Sequence, residues 1–102
     1  MAEENKKADN NVIFIGEKPF MNYITGVSMQ FKVKNSKQVT IKARGKFISR
    51  AVDIAEASRK RFLKEEDIVI KDIKIDSEEF DNKEGRKVNV STIEITLAKK
   101  SN

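Results

Sequence analysis

"VTIKARGKFISRAVDIAEASRKRF", residues 39–62, holds a strand, a sharp break and a helix in one run. Val39, Ile41 and Ala43 alternate with Thr40 and Lys42, the period-two pattern of a half-buried strand. Gly45 ends it, and a helical period takes over, starting at Ser49 or a residue close to it and running to about Phe62. Turned through 100° per residue from Lys46, the positions Arg50, Ala57, Arg61 and Lys64 fall within about 60° of one line, with Lys60 about 40° to the other side. Phe47, Ile48, Ala51, Ile54, Ala55, Ser58 and Phe62 take the opposite half. One half of the helix is bound for a core or an interface; the other is a basic ridge. Asp53 is expected to pair with Arg50 or a neighbour, and Glu56 to reach Lys60 at i+4.

Upstream, "NVIFIG" (11–16) is a β-branched run closed by glycine and reads as a buried strand. "EKP" leads into a segment with Phe20, Tyr23, Ile24, Val27 and Phe31 on one helical stripe, Pro19 suiting its first turn. Gly26 weakens that helix by about 1 kcal/mol relative to alanine. "NSK" (35–37) is a polar break. Downstream come "IVIKDIKI" (68–75), continuing towards Phe80, and "VNVSTIEITLA" (88–98), with the turn "DNKEGRK" (81–87) between them centred near Gly85. Each of these strands changes the parity of its apolar residues once: Ile68 and Ile70 against Ile73 and Ile75, then Val88 and Val90 against Ile93, Ile95 and Leu97. A bulge or a face exposed on both sides explains such a switch.

The order β-α-β-α-β-β gives an α+β domain of two layers over residues 11–100, without repeats or linkers. A strand from 68 to 80 would extend about 43 Å at about 3.3 Å per residue. A domain of this size has a radius of gyration near 13 Å, so the hairpin of the last two strands should project as an arm. Residues 1–10, "MAEENKKADN", lack the apolar region of a signal peptide and are expected to be a disordered polar tail.

Missing residue types narrow the chemistry. With no cysteine and no histidine there is no disulfide, no zinc site of the Cys/His kind and no histidine acid or base. No cofactor, no metal site and no catalytic residue is expected. No apolar run approaches the roughly 18 residues of a membrane span, so a soluble, intracellular protein with no membrane partner is expected. The net charge of +5 is unevenly placed: residues 42–64 carry +6 and the remainder −1. Such a concentration is what a steering surface looks like. Arg44 and Lys46 flank Gly45 at a helix N-terminus, where the macrodipole disfavours cations unless an anion joins them at the exposed backbone N–H groups. If the first two strands are parallel neighbours, both strand-to-helix loops leave at one edge and Lys18 converges on Lys42, Arg44 and Lys46. The ridge continues along the helix, so a long anion fits better than a small one.

"NVIFIGEKPFMNYI", "VTIKARGKFISRAVDIAE", "RFL" and "VNVSTIEI" together resemble the Alba family of archaeal chromatin proteins, over about residues 11 to 100. The resemblance implies a homodimer that binds double-stranded DNA and RNA with little sequence preference, cytoplasmic and chromosome-associated. It implies nucleic-acid contacts by Lys18 in the first loop, by Lys42, Arg44 and Lys46 of "KARGK", and by Lys83, Arg86 and Lys87 on an arm that follows the minor groove; Arg50 joins them from the basic ridge. It also implies that Phe62, which otherwise passes as core, is a contact between dimers. Two positions depart from the family pattern. Glu17 replaces the first lysine of "GKKP", a lysine whose acetylation weakens DNA binding in the family, and residues 78–87 sum to −1. Both predict binding weaker than is typical of the family, or more selective.

Three alternatives differ in class. An RNA-binding or RNA-processing subunit would use the same backbone contacts; the aromatics, six Phe and one Tyr mostly at core-like positions, argue against base stacking. A metal-dependent nuclease would need Asp76, Glu78, Glu79 and Asp81 to converge, but adjacent strand residues point to opposite faces. An assembly module would dimerise through the second helix and the long strands without binding a polyanion.

Overall fold

The computed structural model describes residues 11–100; the tail expected over 1–10 lies outside the described residues. Strand β1 (Val12–Phe14) leads to helix α1 (Phe20–Ser28), strand β2 (Gln38–Arg44), helix α2 (Ile48–Ala57) and the hairpin β3 (Ile68–Asp81) and β4 (Lys87–Lys99). The sheet order is β1-β2-β4-β3, with β1 parallel to β2 and the other pairs antiparallel. This is the expected β-α-β-α-β-β domain with a hairpin arm. Its long axis is 50 Å and its radius of gyration 14.9 Å, above that of an average domain of this length because the hairpin runs past the helices.

Apolar periodicity decides which face is dry. Val39, Ile41 and Ala43 on β2 stand opposite Leu97, Ile95 and Ile93 on β4, and all six are buried. The helices close over them with Tyr23, Ile24, Val27 and Phe31 from the first helical segment and Ala51, Ile54 and Ala55 from α2. Each large side chain so buried contributes about 1.5–3 kcal/mol relative to exposure. The other face carries Thr40, Lys42 and Arg44 beside Thr96, Glu94 and Thr92, and the hydroxyls of Thr40 and Thr96 lie 3.2 Å apart.

The two parity switches have different causes. In β3 a bulge at Lys71, between Ile70 and Asp72, lets Ile70 face Leu97 and Ile73 face Ile95 on the same side. In β4 the ladder is unbroken, so Val88 and Val90 turn to the face opposite Ile93. Ile73 and Ile75 are on the helix side but lie past the helices, 52% and 79% exposed.

β1 departs from its reading as a fully buried strand. It is shorter than 11–16 and buries only one face: Ile13 packs against the core and Ile15 is within it, while Phe14 points the other way and is 70% exposed. The physical reason is that both helices pack on the same side of the sheet, leaving the far side of an edge strand open. The helix ends also differ from simple α-geometry. α1 continues through a π-turn, Met29–Val33, and stops at Asn35 with φ 56°. α2 is entered through a 3₁₀ turn, Gly45–Phe47, and left through a π-turn, Ser58–Phe62, so the helical path does reach Phe62. Ser58 on that turn is fully buried and its Oγ has no hydrogen-bond partner among the described residues. Phe62, on the apolar half of the wheel, is instead 39% exposed, because the wider π-turn swings it out beside Met21, Met29 and Val33.

Candidate nucleic-acid interface

Parallel pairing of β1 and β2 sends both following loops to one edge of the sheet. The first loop is held by Tyr23. Its hydroxyl accepts from the backbone N–H of Gly16 at 2.8 Å and of Lys18 at 3.1 Å, while its ring stays in the core. Arg50 completes this clamp, donating to the carbonyl of Gly16 at 2.5 Å with its guanidinium 5.5 Å from the Tyr23 ring centroid. Arg50 therefore does not turn to Asp53, which has no cation within 4.0 Å among the described residues. The sequence marked Tyr23 as one more member of an apolar stripe; only its placement within seven residues of the loop hinted at a second role.

The second loop depends on Gly45. Arg44 is extended at φ −145°, and Gly45 at φ +59° reverses the chain into the 3₁₀ turn. A Cβ at Gly45 would meet nothing closer than 3.6 Å, so backbone conformation rather than crowding calls for glycine. The turn leaves Arg44 and Lys46 exposed. α2 begins with Phe47 at its cap and no side-chain hydrogen bond there, so its first N–H groups are not satisfied by a capping side chain.

Each cation of the "KARGK" run has a carboxylate beside it. Lys42 Nζ is 3.6 Å from Glu94, Arg44 Nη1 3.0 Å from Glu78, and Lys46 Nζ 4.0 Å from Glu17. The sequence paired none of these carboxylates with its cation; Glu94, for one, becomes a neighbour of Lys42 only through the β2–β4 register. Surface pairs of this kind are worth about 0–1 kcal/mol, little enough for a phosphate to replace the carboxylate. Farther along the ridge, Glu56 meets Lys60 at 3.2 Å as expected, and Arg59 at 2.6 Å. The bond from Arg59 is the larger cause holding the Glu56 carboxyl below its ordinary value of 4.5.

The arm ends in a preformed turn. Asn82 Oδ1 accepts from the N–H groups of Glu84 and Arg86, its carbonyl accepts from Gly85, and Gly85 sits at φ +79°. Lys83 and Arg86 are exposed on it, and like Lys18 they have no carboxylate within 4.0 Å among the described residues; Lys87 lies 3.9 Å from Asp81. The acidic residues of the arm do not converge: Asp76 and Glu78 share the outer face with Thr92 and Val90, while Glu79 turns away and Glu78 is engaged by Arg44. Among the described residues no group of three or more acidic, Cys or His residues could hold a metal ion, and no helix is long and apolar enough to cross a membrane.

The cations thus fall into three places. Lys42, Arg44 and Lys46 rim one cleft of about 670 Å³ on the outer side of the sheet. Lys18 borders a second groove of about 460 Å³ that shares Phe14 with the first. Lys83, Arg86 and Lys87 stand at the far end of the hairpin. Arg50, on the ridge by its position in α2, is half-buried behind the first loop.

Comparison with known proteins gives concordant matches. The sequence model of the Alba family matches residues 11–77, more than half of the chain. The DNA/RNA-binding protein Alba 1 of Archaeoglobus fulgidus is 54% identical over 90 residues, 88% of this chain and 97% of the relative. The DNA/RNA-binding protein Alba of Methanothrix thermoacetophila is 52% identical over 92 residues, 90% of this chain and 99% of the relative. Among solved structures, Alba from Thermoplasma volcanium superposes with a TM-score of 0.78 at 46% identity, covering 86% of this chain and 99% of that one.

Proposed function

The chain belongs to the Alba family, and from that premise we propose that it is a non-enzymatic binder of double-stranded DNA and RNA that organises the chromosome. What carries this reading is identity of 52–54% over about nine-tenths of the chain with archaeal proteins named for DNA and RNA binding. The geometry of the cations supports it. Lys18, Lys42, Arg44 and Lys46 meet the phosphate backbone from one edge of the sheet, and Lys83, Arg86 and Lys87 reach farther along the duplex from the arm. Arg50 contributes by fixing the loop that carries Lys18 and by its charge on the ridge. Lysine and arginine displace counterions from phosphates, which gives affinity and orientation without reading sequence.

The binding unit is a homodimer formed through α2 and the long strands. Ile73 and Ile75 support this, being apolar on the helix-side face where no helix of the same chain covers them. A dimer presents two cationic edges and two arms to one duplex. Phe62, with the groove it shares with Met21, Met29 and Val33, serves contacts between neighbouring dimers.

Fluorescence anisotropy against duplex DNA and duplex RNA at several salt concentrations tests the proposal, with sedimentation velocity to give the mass of the binding unit. A slope of log K against log[salt] of about −3 or steeper, similar for unrelated sequences, is the expected result. Absence of binding to either duplex at low salt would overturn it.

A further inference from the structure

The outer face of the sheet holds a feature that phosphate binding does not use. Phe14 is the most exposed aromatic of the described residues, 70% open, on a strand whose other face is core. It does not stand alone. The cleft in front of it has Val90 and Phe47 as apolar walls and Lys42, Arg44 and Lys46 on its rim, with Glu94 and Glu78 lining it beside Lys42 and Arg44 as the surface partners a phosphate would displace. Lys42 Nζ lies 5.7 Å from the Phe14 ring centroid. The cleft's volume of about 670 Å³ is in the range that takes one small organic group.

A flat aromatic ring beside cations matches the two halves of a nucleotide: a base stacks on a π-face while a phosphate takes a cation. A base paired inside a duplex has both faces covered by its neighbours and cannot reach a ring on a sheet surface. The occupant must therefore be unpaired. We propose that Phe14 is a stacking platform for an unpaired nucleobase, whose flanking phosphates lie on Lys42, Arg44 and Lys46. The site makes the chain a reader of single-stranded segments and duplex overhangs in addition to duplex backbone. Phe14 is an exception to the expectation that the aromatics sit mostly at core-like positions, because β1 buries only one of its two faces. The inference rests on the nucleic-acid reading above, and its test separates the two.

Dissociation constants are measured for the full chain against a blunt duplex, the same duplex with a single-stranded overhang, and single-stranded DNA and RNA decamers. The comparison is repeated with Phe14→Ala and Phe14→Tyr. The expected result is that Phe14→Ala weakens binding to at least one type of single strand, and to its overhang, by about tenfold or more. The blunt duplex should stay within about twofold, and Phe14→Tyr should bind like the parent. The DNA and RNA arms show which strand the platform serves. If the parent binds single strands and Phe14→Ala changes nothing, or weakens blunt duplex equally, the platform is overturned while duplex binding stands. If the parent binds duplex but no single strand, the platform is likewise overturned. If the parent binds none of them, both readings fall.

Discussion

The two halves of the β3–β4 hairpin are one continuous ladder held by different forces. At its base Ile93, Ile95 and Leu97 enter the core between sheet and helices. In the arm the same strands continue, from Asp76 opposite Thr92 to Asp81 opposite Lys87, with hardly a side chain buried. Backbone pairing and the Asn82–Arg86 turn shape the arm; burial shapes the base. The difference teaches that this fold separates stability from reach. Residues can change on the arm with little thermodynamic consequence, which frees them for contact with a ligand.

The largest expected effect tests that separation directly. Leu97→Ala, at a fully buried site, should cost about 2–5 kcal/mol in denaturant unfolding. Val88→Ala on the arm should cost less than about 1 kcal/mol. Equal costs would mean that the arm is part of the cooperative core. Next in size is the charge of the arm. Replacing both Lys83 and Arg86 by alanine should leave the unfolding midpoint unchanged yet weaken duplex binding at every sequence tested. The salt slope should become shallower by about 2, one for each lost phosphate contact. A shifted midpoint with an unchanged slope would reverse the roles assigned to arm and base.

The smallest effect concerns the loop edge at the base, where carboxylates accompany the cations. Glu17→Lys removes the partner of Lys46 and adds a cation near the expected phosphate path. Tightening of about fivefold at fixed low salt is expected, fading as salt rises. No tightening would show that Glu17 lies off the path of the nucleic acid.

Much of this was legible in the sequence, and the misses have common causes. Alternation in Val39, Ile41 and Ala43 marked β2, and the 3.6-residue stripes marked both helices, because burial of one face leaves a period that composition alone cannot hide. The parity switches announced an irregularity, but one switch came from a bulge and the other from an exposed face, and only the register tells them apart. Phe14 was misplaced, and the helical wheel alone would have put Phe62 in the core, for the same reason: an apolar letter does not say whether a neighbouring layer extends far enough to cover it. At the site, the cations themselves were visible, including the run from Lys42 to Lys46. Their partners were not, since Glu78 and Glu94 lie far along the chain from Arg44 and Lys42.

The amino-acid order by itself determined the element sequence, the face of each helix that is buried, the positive charge between residues 42 and 64, and the family. These are local or cumulative properties, fixed by side-chain period and charge count. Tertiary structure decided which charges neutralise one another, that Arg50 and Tyr23 brace the first loop, and that Phe14 is open to solvent. Those depend on strand register and on how far the helices reach across the sheet, and register couples residues whose separation along the chain carries no signal of their meeting.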